Sequence, residues 1–250
     1  MSTFLRGGHL ASPVQVDAAR LGRWISPMLA VSAATAFALG ITTPPRSGPF
    51  CVGPCIVYPY TDVVQFVPRD YIWVLPSTLL LPLFVVLAGC IHASVGVSRR
   101  VYSLVGLCLA SIAAGIITLD YFTQFQVVAP SLVRGETDGL ALFTQYNPHG
   151  FFIALEDLGY LMLSAAFLFV GVAFGRANRL ERAIRWTFIG AALLAIASFT
   201  LMSWHFGFNL EYRFEVAIIT ITWTTLVGSG VLLTFFFLRS RRPDLPVSGG

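Results

Sequence analysis

The stretch Asn147-Pro148-His149-Gly150-Phe151-Phe152-Ile153-Ala154-Leu155-Glu156-Asp157-Leu158-Gly159-Tyr160 decides how the chain is read. It has the form of a helix start. Asn147 is a good N-cap, and Pro148 suits the first helical position, where a missing N–H leaves nothing unpaired. The apolar run from Phe151 to Phe174 that follows is long enough to cross a bilayer, which takes about 20 residues. Glu156 and Asp157 sit inside that run. An ionised carboxylate in hydrocarbon costs on the order of 3 kcal/mol, so two adjacent ones are expected to face inward, toward a partner, a cavity or a ligand.

Working outward, five more apolar spans appear, giving six at about 24–43, 71–97, 101–122, 151–175, 184–206 and 214–238. The 250 residues are 56% hydrophobic and 11% charged, with a mean hydropathy of +0.76. A soluble domain carries about 25% charged residues, so the composition is that of an integral membrane protein. The expected fold is an all-α, polytopic six-transmembrane-helix bundle over 24–238. Residues 1–23 form an N-terminal segment, flexible or lying on the membrane surface, and 239–250 a disordered tail. Arg6, Arg20 and Arg23 with no apolar core between them argue against a cleavable leader. Two long connections, 44–70 and 123–150, are expected to fold over one end as a cap.

Every Lys/Arg position is an arginine; the 16 basic residues include no lysine. Schiff-base chemistry, whether of a retinal pigment or an aldolase, is thereby excluded. The net charge of +4 reads as topology and contact with anionic lipid, and not as nucleic-acid binding, because the arginines cluster at span ends. On a six-span reading one side holds Arg6, Arg20, Arg23, Arg99, Arg100, Arg176, Arg179, Arg182, Arg185, Arg239, Arg241 and Arg242. The other holds Arg46, Arg69, Arg134 and Arg213. Positive charge is retained in the cytoplasm, so twelve against four predicts both termini cytoplasmic, in a bacterial plasma membrane, with the long loops outside.

That topology sets depths. At 1.5 Å per residue Asp120 lies ~28 Å above the cytoplasmic start of its span, and Glu156 and Asp157 ~12–14 Å below Pro148. Tyr160 shares a helix face with Glu156 and Asp157, and Gln124 with Asp120. His149 and His205 lie at the same outer level. Polar residues of the spans thus collect in the outer half, which predicts an outward-facing acidic pocket and not a continuous pore. The candidate ligand-binding set is Asp120, Gln124, His149, Glu156, Asp157, Tyr160 and His205. Hydrogen bonding between helices is the structural alternative for the three acids. Arg69, Asp70, Glu211, Arg213 and Glu215 read as solvated, capping or snorkelling helix ends. Two carboxylates in a low-dielectric site cannot both stay ionised without a cation nearby. Adjacent helix residues point about 100° apart. Glu156 and Asp157 are therefore expected to serve different neighbours, one Asp120 or His205, the other Arg213 or Arg69.

No H-x3-H or H-E-x-x-H spacing joins the histidines, so neither metal nor cofactor is expected. His92 is expected to bond a backbone carbonyl or a hydroxyl. Cys51 and Cys55, in the first outer loop, are expected to form a disulfide; with three intervening residues they do not fit a redox motif. Cys90 and Cys108 read as packing residues. Small-residue runs at Ala30–Ala38 and Gly190–Ser198 suit close helix contact. No internal repeat, Walker A loop, G-x-S-x-G elbow or Rossmann fingerprint is present.

The segments Pro68-Arg69-Asp70-Tyr71-Ile72-Trp73, Gly135-Glu136-Thr137-Asp138-Gly139 and Asn147 through Tyr160 resemble those of a group of uncharacterised bacterial six-helix integral membrane proteins. The resemblance spans roughly 58–165 and implies the topology without a mechanism. The functional expectation is a multi-pass membrane protein whose acidic pocket binds a small cationic or amphipathic ligand, for transport or sensing. An intramembrane enzyme using carboxyl acid/base chemistry on a lipid-like substrate is one alternative. An accessory subunit of a membrane complex, pairing its acids with another protein's arginines, is another. The expected partners are the lipid bilayer and a small-molecule or lipid ligand; oligomeric state is left open.

Overall fold

The computed structural model describes residues 13–176 and 178–240. Arg6, His9, Arg241, Arg242 and most of the predicted tail lie outside the described residues. The long helices are α1 (Pro13–Thr42), α2 (Val74–Ser94), α3 (Arg100–Thr123), α5 (Phe151–Ala173), α6 (Arg179–Phe206) and α7 (Tyr212–Arg239). A short α4 (Ala129–Arg134) prolongs α3. Six helices, with α3 and α4 taken as one, are long and apolar enough to cross a membrane, and no strand occurs among the described residues.

Successive long helices pack side by side, and α7 returns to α1, closing a ring in which α5 also touches α7. Aromatic side chains fill its middle: Phe84, Phe167 and Phe188 at one level, Trp73, Tyr121, Phe152 and Trp223 at another. Two close approaches depend on glycine. A Cβ on Gly159 would fall 2.5 Å from Ile117 of α3, and one on Gly230 2.8 Å from the Ser26 carbonyl oxygen of α1. Small residues let helix backbones meet this closely inside a bilayer.

Three predicted boundaries move. The first helix starts at Pro13 and not at 24, so residues 13–23 are helical; Ala18, Ala19 and Gly22 are buried. Pro13 opens that helix without losing a hydrogen bond. The third span does not end at 122. It widens into a π turn over Gln124–Val128 and runs on through α4, with Pro130 in the first turn of α4, where its missing N–H is tolerated. The helix stops at Gly135, left-handed at φ 74°, as C-terminal glycines commonly are. The second loop is therefore 135–150. The fifth helix begins at Phe151, with Gly150 as its N-cap, and not at Pro148. Asn147 instead holds the preceding turn, donating to Ala141 O (2.6 Å) and accepting from His149 N (2.9 Å).

The loops do form a cap with an apolar core of its own. Val63, Tyr71, Val128, Leu132, Leu140 and Tyr146 pack together, joined by Ile56, Tyr60 and Phe66. Cys51 and Cys55 are bonded to one another in its first strap. The opposite end is basic. There Arg99 and Arg185 donate to the Phe174 carbonyl, and Arg185 also to that of Val172 at 2.9 Å. Cations suit the orphan carbonyls and negative dipole at a helix C-terminus. His92 pairs with the Ser103 hydroxyl at 2.8 Å.

Candidate functional site

Beneath the cap, α3, α5 and α7 bring four carboxyls together. Asp120 and Tyr121 sit in the last turns of α3, and Glu156, Asp157 and Tyr160 in the second and third turns of α5. Glu215 and Trp223 come from the first half of α7. Glu156 is fully buried and Asp120 is 2% exposed. Glu156 Oε1 accepts from the Tyr121 hydroxyl. That hydroxyl pairs at 2.8 Å with the hydroxyl of Tyr160, which accepts from Trp223 Nε1 at 2.7 Å. The Glu215 carboxyl lies close to that of Glu156. Asp120 and Asp157 lie within Coulombic range of both.

Two features of this group are chemically informative. Among the described residues, Asp120 Oδ2, Asp157 Oδ1 and Glu156 Oε2 are buried with no hydrogen-bond partner. Among the described residues, none of the four carboxyls forms an ion pair. Acids gathered in a low-dielectric interior cannot all stay ionised unless protons or positive charge compensate them.

Glu215 also lies on the wall of a cavity of about 450 Å³, within the size range of small-molecule sites. The cavity runs from the cap down between the ends of α1 and α7. Phe37, Phe50, Trp73, Tyr212 and Trp223 supply aromatic walls, and Ile41, Val216 and Thr220 extend it toward the outside of the bundle. Arg46 and Asp70 stand at its cap end. Asp70, only 1% exposed, accepts from Arg46 Nε at 3.0 Å, Arg46 Nη2 at 3.4 Å and the Tyr146 hydroxyl at 3.3 Å. The Arg46 guanidinium lies 3.7 Å from the Phe66 ring centroid. Burial, with Tyr71 and Asp70 adding to it, pushes the Tyr146 phenol far above its ordinary range. A second, apolar hollow of about 630 Å³ lies between Pro82 and Val85 of α2 and Ser111 to Phe122 of α3.

Of the predicted ligand set, Asp120, Glu156, Asp157 and Tyr160 are brought together. Gln124 is not part of that group. The π turn rotates it to the cap, where its Nε2 donates to Phe143 O (2.7 Å) and its Oε1 accepts from Gln145 N (3.2 Å). His149 is exposed and 3.9 Å from Glu211, at the rim. His205 is exposed at the end of α6, its ring edge-on to Phe206. Both histidines are too solvated to belong to the acidic interior. Among the described residues no three His, Cys, Asp or Glu side chains form a metal-holding group.

The expected arginine partner for Glu156 or Asp157 does not materialise. Arg213 instead holds Glu211 at 2.7 Å and Asn209 O at 2.8 Å, and Arg69 is exposed. Asp70 and Glu215 are also misplaced by the solvated-end reading, since both face the interior of the capped end. Glu215 sits in the first turn of α7, where an acid ordinarily serves the helix dipole. One signal points inward: Phe214, Ile218, Thr222 and Leu226 mark the buried stripe, and Glu215 borders it. No family model matches the sequence, and the searches of curated proteins and of solved structures found no similar chain.

Proposed function

We propose that the chain is a multi-pass protein of a bacterial plasma membrane, both termini cytoplasmic, that binds an organic cation in an outward-facing cavity. The ligand is a small or amphipathic ammonium compound, and binding serves transport or sensing. The arginine asymmetry, twelve residues against four, supports the orientation. One observation carries the ligand class. Glu215, backed by three more acids without a counter-cation, faces a cavity walled by Trp73, Trp223, Phe37 and Phe50. Aromatic faces around a carboxylate are the arrangement that recognises ammonium groups, because the ring quadrupole and the anion attract the same charge.

The cavity's flank between Ile41 of α1 and Val216 and Thr220 of α7 suits an apolar tail continuing into the outer leaflet. The accessory-subunit alternative requires an acid turned to the outside of the bundle. Asp120 and Glu156 are instead buried, within Coulombic range of one another. Native mass spectrometry of protein extracted in mild detergent tests the proposal. A retained amine-bearing species, lost in Glu215→Gln, is the expected result; an anionic or neutral species retained equally by both forms would contradict it.

A further inference from the structure

The acidic group and the cavity meet at one residue, and this junction has a consequence for charge. Glu215 touches the cavity on one side and Glu156 on the other. Among the described residues, the polar groups behind that pair are acids or neutral hydroxyl and indole groups. Asp120 and Tyr121 face it from α3, Asp157 and Tyr160 from α5, Trp223 from α7, and Tyr212 stands above Glu215. Arg46, the cation on the cavity wall, is already committed to Asp70 by two hydrogen bonds. An ammonium ion arriving at Glu215 therefore meets acids that have no counter-cation among the described residues, so its charge and a proton compete to compensate them.

We propose that the Glu156–Glu215 pair is an exchange site, at which binding of one organic ammonium ion releases one proton. The step is balanced. The proton shared between the two carboxyls passes to water at the cavity mouth, and no covalent bond to carbon forms or breaks. The ammonium N–H groups take its place against Glu215, and Glu156 keeps the Tyr121 hydroxyl as its donor. One positive charge enters as one leaves, so the buried group's net charge is unchanged. That condition favours exchange over simple binding in a low-dielectric interior. Asp120 Oδ2, buried and unpartnered beside Glu156, is a second acceptor within the same group. It gives the displaced proton an intermediate station on its way out.

This inference rests on the cation-binding reading above, and one experiment separates the two. Isothermal titration of the full-length protein in nanodiscs with decylammonium chloride, run at one pH in two buffers of different ionisation heat, counts protons released per ligand bound. The expected count is one, with affinity rising about tenfold per pH unit while the pair is protonated, as linkage requires. Glu215→Gln should abolish the release. Glu156→Gln serves the same purpose should the first variant fold poorly, because glutamine still accepts from Tyr121. Glu211→Gln, a rim acid paired with Arg213, should leave the count at one. Binding without release overturns the exchange and leaves the cation site standing. Release that persists in both Glu215→Gln and Glu156→Gln overturns the assignment to this pair. Failure of the unaltered protein to bind overturns both readings together.

Discussion

Two buried acids at the capped end are treated in opposite ways. Asp70 is met by a guanidinium held flat against Phe66, by a second N–H of that guanidinium, and by a tyrosine hydroxyl. Glu156 is met by one tyrosine hydroxyl and by another acid, with two more acids behind. Complete pairing marks a charge whose work is to hold the two loops together. Incomplete pairing at a comparable depth marks a group kept available. Desolvation penalises both alike, so the difference lies in what surrounds them and not in burial.

The contrast breaks most visibly if one partner of Asp70 is removed. Arg46→Met should destabilise the cap by about 3 kcal/mol, the usual cost of stranding a buried ion. Thermal unfolding in detergent would read this as a lowered midpoint. Glu215→Gln, by contrast, should leave the midpoint unchanged or raise it, since glutamine removes one acid from a group that lacks a counter-cation. Equal losses in the two variants would mean that both acids are structural. Next in size, Trp223→Phe deletes the donor to the Tyr160 hydroxyl and should cost about 1–2 kcal/mol. The same unfolding measurement checks it, and no change would place the Tyr121–Tyr160–Trp223 chain outside the stability of the bundle.

A smaller effect concerns alkaline pH. The Tyr146 phenol ionises far less readily in the folded cap than in the unfolded chain. Its stabilising contribution is therefore complete below the ordinary phenol value of about 10 and is lost as pH rises above it. Tyr60 shifts in the same direction, through burial and the nearby Glu211. Tyrosinate absorbance should lag behind that of free tyrosine until the cap opens, and should follow it without lag if the cap is not a folded unit. Smallest of all, His149→Ala together with His205→Ala should change stability by no more than about 0.5 kcal/mol, as exposed substitutions do. A large loss of ligand affinity in that double variant would return the histidines to the site.

Much of this was legible in the sequence, for identifiable reasons. Six spans stand out because about 20 apolar residues in a row have few uses other than crossing a bilayer. Glu156, Asp157 and Asp120 stand out because acids inside such spans are rare. The helical course of residues 13–23 was not legible, because its polar face masks Ala18, Ala19 and Gly22, which pack against neighbours only in three dimensions. Nor was the continuation past Thr123, where a π turn absorbs the approach to Pro130. The pairing of Arg46 with Asp70 joins residues 24 apart on different arms of a loop, and no local pattern encodes it. Glu215 was overlooked for the opposite reason. It occupies a first-turn position where a solvated acid is ordinary, and only the neighbouring helices turn it into a half-buried cavity wall. His149 and His205 entered the candidate set through depth alone, which fixes level but not direction.

The unpaired acids, and not the paired one, are proposed to receive the ligand. Equilibrium binding of decylammonium, followed through the fluorescence of Trp73 and Trp223 on the cavity wall, tests it most directly when the unaltered protein is compared with Glu215→Gln. Affinity should be weaker by tenfold or more in the variant, equivalent to at least about 1.4 kcal/mol, with thermal stability preserved. Equal affinity in the two folded proteins would contradict it.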